Sequence, residues 1–284
     1  MDALFPQNIG AQVSIDEVAV TNGELWTVLT NKAKHGKKGA LIAMIQGTKA
    51  ADIAKVFMKM TPPQRAAVTE ATMDMAENME AAVRASFPKA RIVTDRFPVQ
   101  QLVSEAVQDM RIELRRDALK EENAAIKKAR AERAPYHPFV YENGDTKKQL
   151  LARSRYLLFK PSGQWNDQQS ARSVILFREY PILKTAYDLS MMFRGCYEHG
   201  TTIPQAREKL NAWYRKVEAK KLDAFLVPME SIRLHETTIL NYFVHRSTNA
   251  SAESFNAKLK NFRTVVRGVS DKAFHLFRVS KLYA

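Results

Sequence analysis

The sequence predicts an α/β protein whose mixed sheet, with flanking helices, is interrupted by a large all-α insertion. Three observations predict this class: strand-like runs are confined to the first 98 residues, helical patterns extend over residues 99–240, and an amphipathic helix follows near residue 250. We therefore divide the chain into the first part of a sheet core (1–98), a helical insertion (99–240) and a second part of the core with two closing helices (241–284).

The order of strands and helices in the first 98 residues narrows the fold class further. Residues 12–30 contain two strand-like runs around Asn22-Gly23, the dipeptide that most strongly indicates a β-hairpin. The elements predicted after it are a strand at 40–46, a helix at 48–60, a strand at 66–75, a helix at 76–86 and a strand at 91–94. Three antiparallel strands followed by helix, strand, helix and strand is the order of the RNase H-like fold, in which the first and fourth strands are neighbours.

Acidic residues lie in the first strand of this sheet and at the ends of the fourth and fifth. Asp16 is surrounded by apolar residues, where a carboxylate is costly unless it is paired, hydrogen-bonded or bound to a cation. Asp74 and Asp95 follow the two later strands, at the sheet edge where ligands of open α/β sheets bind. Glu17 points to the opposite face from Asp16, so we interpret it as a surface or helix-packing charge.

The helix that begins near residue 250 carries a single acid, Glu253, among basic residues. Asn249 and Ser251 are candidate N-caps, which places Glu253 in the first turn, where the helix dipole favours a negative charge. At about 100° per residue, an apolar stripe and a polar stripe lie side by side. The apolar stripe is Phe255, Leu259, Phe262 and Val266, and the polar stripe is Glu253, Asn256, Lys260, Arg263 and Arg267. By itself this pattern fits a solvated charged face better than a site for a polyanion.

Composition restricts the class of protein. The 44 Lys and Arg residues against 30 Asp and Glu give a formal net charge of +14, which favours nucleic acid or another anionic surface as a partner. Cys196 is the single cysteine, which excludes an internal disulfide and a thiolate-based zinc site and indicates a reducing compartment. The sequence has no run of about 18 apolar residues and no signal peptide, so we expect a soluble cytoplasmic protein, associated with the nucleoid and not with membranes.

Together, Asp16, Asp74 and the segments VTDRFPVQQL and RSTNASAESFNAKLKNFR resemble the DDE-type insertion-sequence transposases of the ISL group. The resemblance extends over essentially the whole chain. The most specific parts are the segment TNASAESFNAKLK (248–260) and the central segment that begins LLFKPSGQWNDQQ, whereas the IDE motif at 15–17 is weak alone. Pro98 is a departure, because it stands where the D-R-F-H motif of the family has a histidine.

The resemblance implies that Asp16, Asp74 and Glu253 are the catalytic acids and metal ligands, with Asp95 as the alternative second acid. Three carboxylates without a nearby thiol or histidine cluster suit two Mg²⁺ or Mn²⁺ ions. The implied reaction is metal-dependent cleavage of DNA at the ends of an insertion sequence, followed by strand transfer. The residues expected to contact DNA are Lys258, Lys260, Arg263, Arg267, Asn256 and Arg96.

The expected partners are the element ends and the target DNA, and the resemblance implies a homo-oligomer that bridges two ends. Only 15 residues precede Asp16, fewer than a DNA-binding module needs, so we expect either a separately encoded DNA-binding protein or a truncated product. Two alternatives remain open at this point. One is an RNase H-like nuclease without strand transfer, and the other is an inactive, transposase-derived DNA-binding protein.

Overall fold

A computed structural model describes residues 2–21, 24–265 and 271–284, and the chain divides into two compact units. The first unit comprises Met1–Pro98 and His235–Ala284, and the second comprises Val99–Leu234. In the described ranges, no helix has the length and apolar character needed to span a membrane.

A mixed sheet is the centre of the first unit. Its described strands are β1 (Ala3–Leu4), β2 (Gln12–Thr21), β3 (Glu24–Asn31), β4 (Leu41–Gln46), β5 (Glu70–Met73) and β6 (Arg91–Thr94). They lie in the order β1-β4-β3-β2-β5-β6; the first four in this order pair antiparallel, and β2, β5 and β6 pair parallel. The predicted α/β class, with a mixed sheet and a large helical region, is confirmed. The short β1 was not predicted, and the Asn22-Gly23 turn lies outside the described residues.

The helices, in chain order, are α1 (Ala50–Phe57), α2 (Pro62–Ala66), α3 (Glu77–Ser86), α4 (Arg96–Ala131), α5 (Lys147–Arg153), α6 (Asp167–Glu179), α7 (Pro181–Arg194), α8 (Ile203–Lys220), α9 (Leu226–Leu234), α10 (Glu236–His245), α11 (Ala250–Val265) and α12 (Lys272–Tyr283). Helices α1–α3 and α10–α12 belong to the first unit and α5–α9 to the second. Helix α4 begins in the first unit and continues into the second.

Successive side chains along each strand point to opposite faces of the sheet, and helices cover both faces. One face packs on α1 and α3 through a core that includes Val13, Ile15 and Phe57. The other face packs on α11 and α12, and there Phe255 and Leu259 are 0% and 1% exposed. Burial of each of these two side chains contributes about 1.5–3 kcal/mol, which is enough to fix the rotation of α11 on the sheet.

The regular secondary structure in the described residues of the second unit is all helical. Trp213 of α8 is fully buried, and its indole nitrogen donates a hydrogen bond of 2.9 Å to the carbonyl oxygen of Leu189 in α7. Its ring centroid lies 4.9 Å from that of Phe193. These contacts join α7 to α8.

Candidate active site

The sheet topology brings Asp16 and Asp74 together. Strands β2 and β5 are parallel neighbours, and Ser14 lies opposite Thr72. Asp16 and Asp74 each follow two residues later, so their side chains lie side by side on the same face. Burial raises the pKa of Asp16 to about 6, and the carboxylates of Asp74 and Glu253 add to this shift. Asp74 and Glu253, from distant parts of the sequence, therefore both lie within electrostatic range of Asp16.

Asp16 is held in place by α11. Its Oδ1 accepts a hydrogen bond of 2.8 Å from the backbone nitrogen of Glu17, and its Oδ2 accepts one of 2.8 Å from Nδ2 of Asn256. Asn256 is only 6% exposed, because it lies between α11 and β2. The carboxylate of Asp16 is thus fixed from two sides.

Asp74 and Asp95 differ in how their oxygens are used. Burial, followed by repulsion from Glu17, raises the pKa of Asp74, and its Oδ1 is buried without a hydrogen-bond partner among the described residues. Asp95 is 2% exposed and accepts hydrogen bonds from the backbone nitrogens of Asn249 (3.0 Å) and Phe97 (3.4 Å). Asp95 therefore caps the start of α4 and holds the residue before α11, whereas Asp74 keeps an oxygen free for a ligand.

Glu17 lies on the other face of β2, as the strand alternation predicts. Its Oε1 accepts a hydrogen bond of 3.2 Å from Asn78 of α3, which also donates one of 2.7 Å to the carbonyl oxygen of Thr48. Glu17 therefore packs against α3, as the interpretation of its charge as a helix-packing charge predicts. No sequence pattern indicated, however, that Glu17 would be the carboxylate with the largest electrostatic effect on Asp74.

A polar cluster formed by the buried Glu70 with the half-buried Lys32 and Ser247 supports the start of α11, and sequence reasoning missed it. Nζ of Lys32 donates a hydrogen bond of 2.8 Å to the hydroxyl of Thr72 and lies 4.0 Å from Oε1 of Glu70. Glu70 is 2% exposed, and the same oxygen accepts a hydrogen bond from the hydroxyl of Ser247. Burial lowers the pKa of Lys32, whereas Glu70 and Asp95 oppose this shift. Lys32 thus lies close enough to two carboxylates, Glu70 and Asp95, to compensate part of their charge.

The polar stripe predicted on α11 is only partly exposed. Glu253 and Lys260 are exposed, as is Arg96 at the start of α4. Asn256 does not face solvent as the stripe predicted, because packing of Phe255 and Leu259 turns it toward Asp16. Lys258, predicted to contact DNA, donates a hydrogen bond of 2.9 Å to the carbonyl oxygen of Gly36. The side chain of Arg263, and Val266 and Arg267 entirely, lie outside the described residues.

The donor set fits a hard divalent cation in its chemistry. Asp16, Asp74 and Glu253 offer oxygen ligands only, which suits such a cation. Burial, with repulsion from the other two carboxylates, raises the pKa of Asp16, and a bound cation would lower this pKa again. Oδ1 of Asp74 is buried without a donor in the described ranges. Within those ranges no three Asp, Glu, His or Cys side chains form a group that could hold an ion. Of the three carboxylates, that of Glu253 is exposed and can therefore change its side-chain conformation.

A family model described as Transposase, for the ISL3-group DDE enzymes, matches residues 13–279. The chain belongs to this transposase family. The match begins before Asp16 and extends beyond Glu253, so it includes the sheet edge, the helical unit and α11. No curated protein matches the chain. The resemblance found in the motifs is confirmed, and family membership makes this transposase an enzyme that binds and cuts DNA.

Asp16→Asn is expected to stabilise the metal-free transposase at neutral pH. The pKa of Asp16 is raised in the folded state, from 3.8 to about 6, so the folded protein binds this proton more tightly than the unfolded chain. Stability is therefore lost as pH rises from about 4 to about 6, and the loss is complete above pH 6. The substitution removes this loss, which amounts to about 3 kcal/mol for a pKa raised from 3.8 to about 6. Asn256 can rotate its amide so that its oxygen, which has no partner in the described residues, accepts from the new amide group.

Urea unfolding in EDTA at pH 4 and pH 7.5 measures this effect. The gain should be present at pH 7.5 and absent at pH 4. Asp109→Asn, at an exposed position of α4, serves as the control and should change stability little at either pH. Equal or lower stability of Asp16→Asn at pH 7.5 would contradict the arrangement of acids described above.

Proposed function

We propose that the transposase cleaves DNA strands at the ends of an insertion sequence and joins the resulting 3′ ends to target DNA, with Asp16, Asp74 and Glu253 as the catalytic acids. The observation that carries this proposal is geometric: the parallel pairing of β2 with β5 places Asp16 beside Asp74, and Asn256, one helical turn from Glu253 on α11, donates a hydrogen bond to Asp16. The family match supports DNA transposition in general.

Two Mg²⁺ or Mn²⁺ ions would be held by these three carboxylates, with Asp16 and Asp74 as the fixed ligands. Bound ions of this kind activate a water or a DNA 3′-hydroxyl and stabilise the leaving oxygen of an in-line displacement at phosphorus. Asn256 orients Asp16 through its hydrogen bond, and Asp16 has to lose its proton, near pH 6, before it can serve as a ligand. Glu253 completes the set by turning its exposed side chain toward the sheet edge.

The exposed cations near α11 would hold the DNA backbone. Lys260 lies about two helical turns beyond Glu253 on α11, and Arg96 follows Asp95. Contacts of this kind bind any sequence and weaken steeply with salt. Arg263 and Arg267 stay predictions as DNA contacts. A homo-oligomer that holds two DNA ends is part of the proposal.

Strand transfer is the activity that separates this proposal from a simple nuclease. Duplexes that carry the inverted repeats expected on either side of the gene, already cleaved to expose a 3′-hydroxyl, should be joined to a plasmid in Mn²⁺, and Glu253→Gln should abolish joining. Asp52→Asn, an exposed acid on α1 across the sheet, is the matched control and should join normally.

The outcomes distinguish the alternatives. Release of ends from uncleaved substrate without any joining would indicate an RNase H-like nuclease. DNA binding with neither metal-dependent cleavage nor joining would indicate an inactive DNA-binding protein.

A further inference from the structure

The loop between β3 and β4 is strongly basic. Residues 32–39 read KAKHGKKG, and the segment contains no acid. Lys34, Lys37 and Lys38 are exposed, and His35 lies exposed among them. We call Lys34, Lys37 and Lys38 the lysine platform. The active-site acids and the predicted stripe on α11 do not include it.

The backbone of this loop is held in one conformation by hydrogen bonds. The backbone nitrogen of Asn31 donates to the carbonyl oxygen of Ala40 (2.8 Å) and closes the loop, and that of Lys37 donates to the carbonyl oxygen of Lys34 (3.0 Å). Gly36 has a φ of 66°, in the left-handed region that favours glycine. A loop already ordered in this way loses little backbone entropy when a partner binds.

Helix α11 fixes the position of the loop. Lys258 donates its hydrogen bond to Gly36, and a Cβ added to Gly36 would lie 3.2 Å from the Lys258 ammonium. On the helical wheel, Lys258 and Asn256 lie on opposite sides of the buried Phe255. The helix therefore has the acid Asp16 along one side and the lysine platform along the other.

The charges of the platform are not compensated within the protein. Several lysines of the second unit form ion pairs, such as Lys147 with Glu121 (3.0 Å) and Lys184 with Asp188 (2.6 Å). Among the described residues, by contrast, no acid forms an ion pair with a lysine of the platform. Three rigidly mounted, uncompensated cations suit a regularly spaced polyanion.

We propose that the lysine platform binds the phosphate backbone of DNA that extends across α11 from the active site. The partner is DNA rather than another anionic surface because the chain belongs to a DNA transposase family and carries a net charge of +14. The contact is independent of sequence, since ammonium groups on a loop read phosphates and not bases.

Fluorescence anisotropy of a random-sequence 30-bp duplex tests this proposal, with EDTA present so that no cleavage occurs. The variant K34S/K37S/K38S should bind at least tenfold more weakly at 100 mM salt. The slope of log K against log salt should become shallower by about 0.9 for each lost phosphate contact, hence by roughly 2 to 3 in total. Because binding is measured without metal, the result stands whether or not Asp16, Asp74 and Glu253 are catalytic.

The matched control is K55S/K59S/K89S, which removes the same charge from exposed lysines on the side of the sheet that packs on α1 and α3. It should keep most of the affinity and slope, as should K34R/K37R/K38R. If the triple serine variant fails to fold by circular dichroism, each single substitution should still lower the slope by about one. Equal losses in both triple variants, or loss of binding to phosphatidylserine vesicles without loss of DNA binding, would overturn the proposal.

Discussion

Asp74→Asn is expected to abolish metal-dependent DNA cleavage, with a loss of about 10³-fold or more, because a metal-binding carboxylate stabilises the transition state by several kcal/mol. Stability should be unchanged or higher, since Oδ1 of Asp74 is buried without a partner in the described residues and its pKa is raised. Cleavage of supercoiled plasmid in Mn²⁺ and urea unfolding in EDTA measure the two effects.

Asp95→Asn provides the matched comparison, because Asp95 is the other strand-end acid. This substitution weakens the contacts to the backbone nitrogens of Asn249 and Phe97 and leaves Lys32 with one fewer carboxylate, so it should cost about 1–3 kcal/mol of stability. Cleavage measured on the folded fraction should fall much less than in Asp74→Asn. Retained cleavage in Asp74→Asn, together with complete loss in a stably folded Asp95→Asn, would show that Asp95 and not Asp74 is the second catalytic acid.

Lys32→Met is expected to destabilise the first unit by about 3 kcal/mol, because removal of the lysine leaves buried carboxylates without a neighbouring cation. Glu70 and Asp95 are each 2% exposed, and the side chain of Lys32 is 13% exposed. Guanidinium unfolding at pH 7.5 measures the loss.

The double variant K32M/E70Q tests the physical cause. The glutamine introduced by E70Q keeps an acceptor for the hydroxyl of Ser247 but carries no charge, so the double variant should recover more than half of the loss. Lys55→Met, the same substitution at an exposed position of α1, controls for unspecific effects. A double variant as unstable as the sum of its single variants would show that charge compensation is not the role of Lys32.

The sheet and its neighbouring strands could be predicted because they depend on local signals. The Asn-Gly dipeptide, the alternation in β2 and the strand-end positions all lie within short windows, and these windows were enough to predict that Asp16 lies beside Asp74. The apolar period of α11 likewise predicted the burial of Phe255 and Leu259.

The use made of each polar side chain could not be predicted, because it depends on contacts between distant segments. The role of Asp95 depends on the backbone of Asn249, and that of Asn256 on the packing of α11 against β2. Lys258 looks like a surface cation in sequence, and only the path of the β3–β4 loop gives it Gly36 as a partner. Lys32 and Glu70 carry no local signal, since their pairing joins the ends of β3 and β5.

Asp95 has a further consequence for the tolerance of the fold to insertions. It accepts hydrogen bonds from Phe97, where the chain leaves the sheet unit, and from Asn249, after the chain has returned. Asp95 is therefore one of the contacts that close the segment between them, together with the hydrogen bond from Asn241 to the carbonyl oxygen of Ile92. The entropy of closing a flexible loop grows only slowly, by about 0.6 kcal/mol for each doubling of length. The size of the second unit is thus nearly neutral for the sheet unit, and helices can be gained or lost there without moving the acids.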